Sequence, residues 1–420
     1  MKRSHPVGPP DPRVKRRLAA VLALSLAAST GCTATIGGEA VPDPAATKID
    51  TGNFPTTPRT VAAVTPGDAW QQEALIMADS VVAPFDIRPT LSKRATAISM
   101  LTGPITLVAG FGDDGSSKSL ALIPTDKVIA LGGFGYQTGF LATAADSTTN
   151  PTAFLSIGLL RFYSPESATQ ALAIMRDDKT TAPAGLDAVA DAVPVSAGDR
   201  AGLQRVTVAA RRGNLIALTA AAGPTAVEAG ALAVEALTAQ VAKATSYRQN
   251  GVLSPTAVPS VPMDKDGIMS RTLASPATDN AVFGLSPRVA YFEGYYSRRT
   301  RYMVNLLPEW LNSAEANGID LIAETKSAVV MRARDHDAAV AFVRNKGKGG
   351  GVDTSANVFY TPGIPRDNVL CGRESNADKT KYTCYLILGR WTVQVHQSTL
   401  QLAQQAISAE YLINKAAGEN

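Results

Sequence analysis

Residues 155–175 read LSIGLLRFYSPESATQALAIM, and this stretch contains the step on which the fold is built. The apolar run Leu155–Phe162 predicts a buried strand. The segment Ser164-Pro165-Glu166 then places a capping hydroxyl and an acid where a helix would begin. Apolar residues recur at helical spacing after that point, at Ala168, Ala171, Leu172 and Met175. The stretch therefore predicts a strand that runs directly into a short helix.

The same order of elements recurs later in the chain. The apolar run Ala328–Arg332 leads through Asp335-His336-Asp337 into apolar residues at helical spacing. In both halves two further strands joined by a turn follow, and a long helix ends the half. These strands are 203–210 and 215–219 in the first half, and 382–388 and 391–396 in the second. The shared order of strand, helix, two strands and helix indicates an internal repeat.

The repeat predicts an α+β fold made of two similar tandem domains. We expect each domain to be an antiparallel sheet with helices packed on one face, in a layout that resembles the ferredoxin-like fold. Composition indicates the domain boundaries. Thr, Pro, Ala and Gly dominate the segment before the first domain, and prolines in a polar setting separate the first domain from the second. The predicted organisation is a signal peptide at 1–31, a flexible tether at 32–66, a first domain at 67–245, a proline-rich linker at 246–280 and a second domain at 281–420.

Cysteine usage predicts one disulfide. After Cys32 the chain contains only Cys371 and Cys384, and outside the cytoplasm two nearby thiols favour a bridge. A hairpin centred between Ala377 and Asp378 would place these cysteines opposite each other and align apolar neighbours across its strands. The alternative, a metal pair, lacks a further cysteine or a nearby histidine to complete a tetrahedral site. We therefore predict a bridge across a hairpin.

The N-terminus resembles a bacterial export signal. A basic segment precedes the apolar run Leu18–Ala28, which is too short to span a bilayer but suits a secretory signal. The run ends in Ser29-Thr30-Gly31-Cys32, which resembles a lipobox, a signal whose cysteine receives a diacylglycerol group and becomes the new N-terminus. The alternative is an ordinary cleaved signal with an incidental cysteine. The lipobox makes Cys32 the lipidation site, and two acyl chains suffice for stable anchoring.

The basic character of the whole chain comes from this signal. The formal net charge is +4, but residues 1–31 contain six basic residues and one acidic residue, which leaves −1 for the remainder. Because a nucleic-acid partner needs a basic surface on the folded part, no nucleic-acid partner is predicted. The remainder has no second apolar run long enough to span a membrane. The membrane is therefore expected to be a partner through the N-terminal lipid.

The whole chain resembles a family of exported actinobacterial lipoproteins, of mycobacterial and nocardial type, whose function is uncharacterised. The resemblance is carried by the lipobox around Cys32, the Pro/Thr-rich tether, the segment Gly133–Phe140 and the strand–helix step Leu160–Ala173. It implies a protein with tandem α+β domains, exported and anchored to the outer face of the plasma membrane. It implies no known reaction.

No motif in the chain predicts catalysis, a metal or a cofactor. Only His336 and His396 remain after signal removal, and neither has a visible triad partner. Asp335-His336-Asp337 is interpreted as a helix cap, because Ser164-Pro165-Glu166 occupies the corresponding place in the repeat. The segment Gly110–Gly115 matches Gly-x-Gly-x-x-Gly, but no helix follows it to receive a pyrophosphate, so a strand connection is favoured.

The segment 291–302, YFEGYYSRRTRY, is the candidate binding surface. Aromatic rings beside guanidinium groups stack on sugars or hold phosphate headgroups, and both ligand types are abundant in a cell envelope. The alternative is a pair of strands whose aromatic residues fill the core while the arginines face water. The residues concerned are Tyr291, Tyr295, Tyr296, Arg298, Arg299 and Arg301.

Together these features predict a non-enzymatic envelope lipoprotein that acts as a binding, sensory or structural module. Its expected ligand is an envelope glycan or lipid. One alternative is an envelope hydrolase or transferase that uses carboxylates, which would need converging acids in a deep cleft. Another is a lipid carrier, which would need a long apolar cavity between sheet and helices.

We expect Cys32→Ala to abolish lipidation and to release the protein from the membrane fraction. The reason is that the two acyl chains are the predicted membrane attachment. Fractionation after a carbonate wash measures the outcome, with the parent chain as the control. A variant that stays with the membrane after the wash would contradict the anchor assignment.

Overall fold

Two six-stranded antiparallel sheets form the framework of the protein. The computed structural model describes residues 48–61, 65–94, 103–105, 122–200, 202–250, 258–274, 293–306, 308–349, 359–376 and 379–418. The predicted signal peptide, Cys32, Gly110–Gly115 and Tyr291 lie outside these residues. Among the helices of the described part, none is both long and apolar enough to cross a bilayer.

The first half of the described chain builds the first sheet, whose strands pair in the order β1-β2-β3-β6-β5-β4. The strands are β1 (Gly103–Ile105), β2 (Tyr136–Ala145), β3 (Phe154–Phe162), β4 (Ala192–Arg200), β5 (Leu203–Arg212) and β6 (Leu215–Gly223). The helices are α1 (Pro66–Met77), α2 (Pro84–Ile87), α3 (Thr125–Leu131), α4 (Pro165–Met175) and α5 (Ala226–Ala244).

The second half builds the second sheet. Its strands are β7 (Gly294–Tyr296), β8 (Leu321–Glu324), β9 (Ala328–Arg332), β10 (Val369–Asn376), β11 (Lys379–Leu388) and β12 (Trp391–Gln397). Its helices are α6 (Arg298–Asn305), α7 (Pro308–Ala316), α8 (His336–Gly349) and α9 (Leu400–Ala417). The strand order is β7-β8-β9-β12-β11-β10, which reproduces the order of the first sheet strand for strand. The predicted α+β class, with two similar tandem domains built on antiparallel sheets, is confirmed.

The helices cover both faces of each sheet, which corrects the predicted placement on one face. In β3, Ile157 and Leu159 share a hydrophobic cluster with α5, whereas Leu160 and Phe162 share another with α4. The second sheet repeats the arrangement, with α8 on one face and α9 on the other. The physical reason is that a strand such as β3 is apolar at nearly every position and needs cover on both sides.

The hairpin β10–β11 has the predicted register. Cys371 pairs with Cys384, and a disulfide joins them. Their Cα atoms lie 4.0 Å apart, and both side chains are fully buried. The pairing of Asn376 with Lys379 places the turn where the sequence predicted it.

We expect the double variant Cys371→Ser/Cys384→Ser to lose about 3 kcal/mol of unfolding free energy, because the bridge restricts the unfolded chain. Urea unfolding of both proteins measures the loss. Non-reducing peptide mapping of the parent should recover the two cysteines linked. Two free thiols in the parent, or an unchanged unfolding free energy in the variant, would contradict the assignment.

Helix α1 is fastened to the second sheet through the edge strand β7. The carboxamide of Gln72 donates to the carbonyl oxygen of Tyr295 at 2.8 Å and accepts from the amide of the same residue at 3.1 Å. The neighbouring Gln71 donates to the carbonyl oxygen of Glu293 at 3.0 Å. The carboxamide of Gln72 thus forms hydrogen bonds with the backbone N–H and C=O of the edge strand β7. A further strand could otherwise pair with these groups, so α1 covers this edge of the sheet.

The same helix is fastened to the first sheet by a buried ion pair. Arg161 of β3 and Glu73 of α1 are both fully buried, with 2.6 Å between Nη1 and Oε1. The hydroxyl of Tyr247 and both nitrogens of Asn250 donate to the Glu73 carboxylate. The guanidinium also lies 5.4 Å from the ring centre of Trp70. Buried charges need such partners, so α1 is held in one position on the sheet.

The two halves consequently share a hydrophobic core. Leu75 and Met77 of α1 belong to the same buried cluster as Phe140 of β2 in the first half and Tyr296 and Met303 in the second. Residues Lys48–Asn420 form one compact unit.

We expect Glu73→Gln to destabilise the protein by about 3–5 kcal/mol, because the charge of Arg161 would remain buried without its counter-ion. Urea unfolding measures the change. The matched control is Glu235→Gln, which breaks the exposed pair with Arg88 and should cost less than about 1 kcal/mol. Equal losses in the two variants would contradict the special role of the buried pair.

Parts of the predicted tether and linker pack against the second half. Arg59 donates from its amide to the carbonyl oxygen of Ser270 at 3.1 Å, so segments 48–61 and 258–274 are joined. Arg271 donates to the carbonyl oxygens of Ala417, the last residue of α9, and of the following Gly418, and it stacks on Trp391 with 4.2 Å to the ring centre. The carboxylate of Glu410 accepts the amide of Leu273 at 2.7 Å. The predicted tether thus includes residues 48–61, which make these contacts, and the start of α1 at 65–66, whereas its residues 32–47 and 62–64 lie outside the described residues.

We expect Glu410→Gln to gain stability relative to the parent as the pH rises. Burial raises the pKa of Glu410 to about 8, against an ordinary value of 4.5. Between these values the folded protein binds a proton that the unfolded chain has released. The parent therefore loses stability with rising pH, by up to about 1.4 kcal/mol per pH unit, and the variant lacks this loss.

Urea unfolding of both proteins at pH 5 and pH 8 measures the effect. The difference in unfolding free energy should shift in favour of Glu410→Gln at the higher pH. The exposed control Glu235→Gln should show no such shift, and a pH-independent difference for Glu410→Gln would contradict the prediction.

Candidate functional site

A cavity of about 300 Å³ lies where helix α6 begins. Two of the arginines from the candidate binding surface line it, together with side chains from the helix that follows and from the residue just before β8. The lining residues are Ser297, Arg298, Arg299, Leu311, Glu315 and Asp320. We take this cavity as the candidate functional site.

The position of the cavity follows from the start of α6. Ser297 is the N-cap residue, and its hydroxyl oxygen accepts the amide of Thr300 at 3.3 Å. The same hydroxyl donates to the carboxylate of Asp79, in the turn Ala78–Ser80 that follows α1. Helix α6 is therefore placed by a contact from the first half of the chain.

Arg299 is held by a second contact from the first half. Its Nη2 pairs with the carboxylate of Asp86 in α2, and the guanidinium lies 5.7 Å from the ring centre of Phe85. Burial lowers the pKa of Arg299, while the charges of Asp79 and Glu315 oppose this effect. The buried Nε of Arg299 has no hydrogen-bond partner among the described residues.

Arg298 and Glu315 face each other loosely. Nη1 of Arg298 donates to the carbonyl oxygen of Ile319 at 3.0 Å, whereas its Nε lies 3.8 Å from the carboxylate of Glu315. The side chains are 38% and 54% exposed. The described residues offer no hydrogen bond to the Glu315 carboxylate, so this carboxylate and the Nη2 of Arg298 have capacity for a ligand.

Asp320 supplies a fixed negative charge on the cavity wall. Its two carboxylate oxygens accept hydrogen bonds from Nε and Nη2 of Arg332, at 2.8 and 2.7 Å respectively. Burial by itself would raise the pKa of Asp320, but these hydrogen bonds outweigh it and hold the pKa below its ordinary value. The carboxylate is therefore ionised at neutral pH.

The other residues of the predicted binding surface do not line the cavity. Tyr295 and Tyr296 are buried, as the alternative interpretation expected for the aromatic residues. Arg301 contacts the carboxylate of Glu324 and the hydroxyl of Tyr296, and it lies 5.7 Å from the ring centre of Trp310. Burial raises the pKa of Glu324 to about 8. Tyr291 lies outside the described residues.

Sequence reasoning missed the acidic members of the site and its supports. Glu315 lies one helical turn after Leu311, a spacing that could have indicated a shared face with it. Asp79 and Asp86 are more than 200 residues from the arginine segment, and no local signal connects them to it.

The histidines and acids outside the cavity have structural partners. Asp335 caps α8, because its carboxylate accepts the amide of Ala338 at 2.8 Å, as predicted for the Asp335-His336-Asp337 segment. His336 contacts the carbonyl oxygen of Gly389, and His396 contacts the hydroxyl of Thr383. Within the described ranges there is no group of three or more His, Cys, Asp or Glu residues able to hold a metal ion.

Comparisons with known proteins concern the family and one solved structure. The N-terminal model of DUF7373, a domain of unknown function, matches residues 60–250, and the C-terminal model of the same family matches residues 269–414. The comparison with curated proteins found no match. The extracellular domain of PknH from Mycobacterium tuberculosis is 13% identical and aligns over 42% of this chain and 97% of that chain, with a TM-score of 0.27. At this score the likeness carries no conclusion about fold or function.

Proposed function

We propose a binding role in the cell envelope for this chain, which belongs to the DUF7373 family of domains of unknown function. In this proposal it is an actinobacterial lipoprotein that is exported, lipidated at Cys32 and anchored to the outer face of the plasma membrane. It acts without catalysis and takes a small polar ligand from the envelope into the cavity at the start of α6.

One observation carries the binding role. The cavity has charged groups that keep unused hydrogen-bonding capacity among the described residues, and its two guanidinium groups are each held by one close contact. These groups are the guanidinium groups of Arg298 and Arg299 and the carboxylate of Glu315. Ligand sites typically combine such a few fixed polar groups with a concave surface.

The N-terminal sequence supports the location. A lipobox-like segment ends at Cys32, and Lys48 is the first described residue of the folded part. The intervening residues 33–47 can span at most about 50 Å when fully extended. A protein anchored in this way would hold its binding cavity close to the membrane and to envelope glycans.

Mass spectrometry of small molecules that co-purify with the protein from its own envelope tests the proposal. We expect at least one molecule enriched in the parent and depleted in Arg298→Gln, because this substitution removes a guanidinium group from the cavity. The matched control is Arg334→Gln, an exposed arginine outside the cavity, which should retain the molecule. Identical spectra for the parent and Arg298→Gln would contradict binding at this cavity. Release of a chemically altered ligand would contradict a role without catalysis.

A further inference from the structure

We infer that the ligand of this cavity is a zwitterion, with an anionic group and an ammonium group joined by a short spacer. The inference rests on the proposed binding function and specifies the chemical class of its ligand. The argument comes from the charges that line the cavity and from their unused donors and acceptors.

The basic side of the cavity suits a carboxylate or a phosphate. Arg298 and Arg299 are adjacent at the first turn of α6, where the helix dipole also favours negative charge. Nη1 of Arg298 donates to the carbonyl oxygen of Ile319, and Nη2 of Arg299 donates to the carboxylate of Asp86. The other terminal nitrogen of each guanidinium has no partner among the described residues. Guanidinium groups form strong charge-assisted hydrogen bonds with anionic oxygens.

The acidic side suits an ammonium group. The carboxylate of Glu315 is half exposed, and the Nε of Arg298, its ion-pair partner among the described residues, lies 3.8 Å away. Asp320 stays ionised because Arg332 hydrogen-bonds to both of its oxygens. An ammonium group has three donors. The Glu315 carboxylate can accept them without giving up another hydrogen bond among the described residues, and each Asp320 oxygen has a second lone pair beside its bond from Arg332.

A ligand with one charge fits this lining less well. An anion would lie beside Glu315 and Asp320, and a cation would lie beside Arg298 and Arg299, so each would be repelled by one wall. A zwitterion meets both walls with opposite charge. The volume of about 300 Å³ is at the small end for ligand sites, so the ligand or headgroup is small.

This chemistry has two sources in an envelope, the headgroup of an aminophospholipid and a short free peptide. O-phosphoethanolamine represents the headgroup, and glycylglycine represents the free peptide. Methyl phosphate and N-acetylglycine carry the anion alone, whereas ethanolamine and glycinamide carry the cation alone. Calorimetric titration of the mature protein with all six compounds measures the dissociation constants.

We expect at least one zwitterion to bind about tenfold or more tightly than either of its singly charged counterparts. Arg298→Gln should weaken the binding of both the zwitterion and the anion. Glu315→Gln should weaken the binding of the zwitterion by a similar factor. It should not weaken the binding of the anion, because the substitution removes a negative charge that repels the anion. The controls Arg334→Gln and Glu235→Gln should bind as the parent does, and thermal melting checks that every variant is folded.

Several results would overturn the inference. Equal affinity for the anion and the zwitterion, or unchanged zwitterion binding in Glu315→Gln, would show that the acidic wall does not select the ligand. Either result would leave the proposed binding function standing if Arg298→Gln still weakens binding. Binding of none of the six compounds would also reject the inference, whereas the co-purification experiment decides the proposed function by itself.

Discussion

The buried ion pair between Arg161 and Glu73 is the interaction on which the rest of the structure depends. A fully buried guanidinium in the middle of a sheet needs a counter-ion, and Glu73 supplies it from helix α1. Once α1 lies on the first sheet, Gln72 next to Glu73 reaches the edge strand of the second sheet. Both halves are therefore attached to one helix through three consecutive residues, 71–73.

The candidate site is a consequence of this attachment. The segment that follows α1 contains Asp79 and Asp86, which hold Ser297 and Arg299 at the cavity. Arg299 is thus positioned by an acid from the first half, whereas Arg298 and the opposing carboxylate of Glu315 both belong to contacts within the second half. The position of two of the lining residues thus depends on contacts between the halves.

Much of the fold could be predicted because its signals are local. The strand–helix step at 155–175 and its repeat indicate the tandem α+β architecture, and the apolar pattern around Cys371 and Cys384 sets the hairpin register. The joint between the halves could not be predicted, since Glu73 and Arg161 are 88 residues apart and nothing local marks either as buried. For the site, the segment of arginines was found from its composition, but the burial of Tyr295 and Tyr296 and the acidic wall depend on tertiary packing.

Differential scanning calorimetry of the protein tests most directly whether α1 joins the two halves into one cooperative unit. The shared core and the ion pair predict a single cooperative transition, with equal calorimetric and van't Hoff enthalpies. Two separate transitions, one for each sheet, would contradict this account.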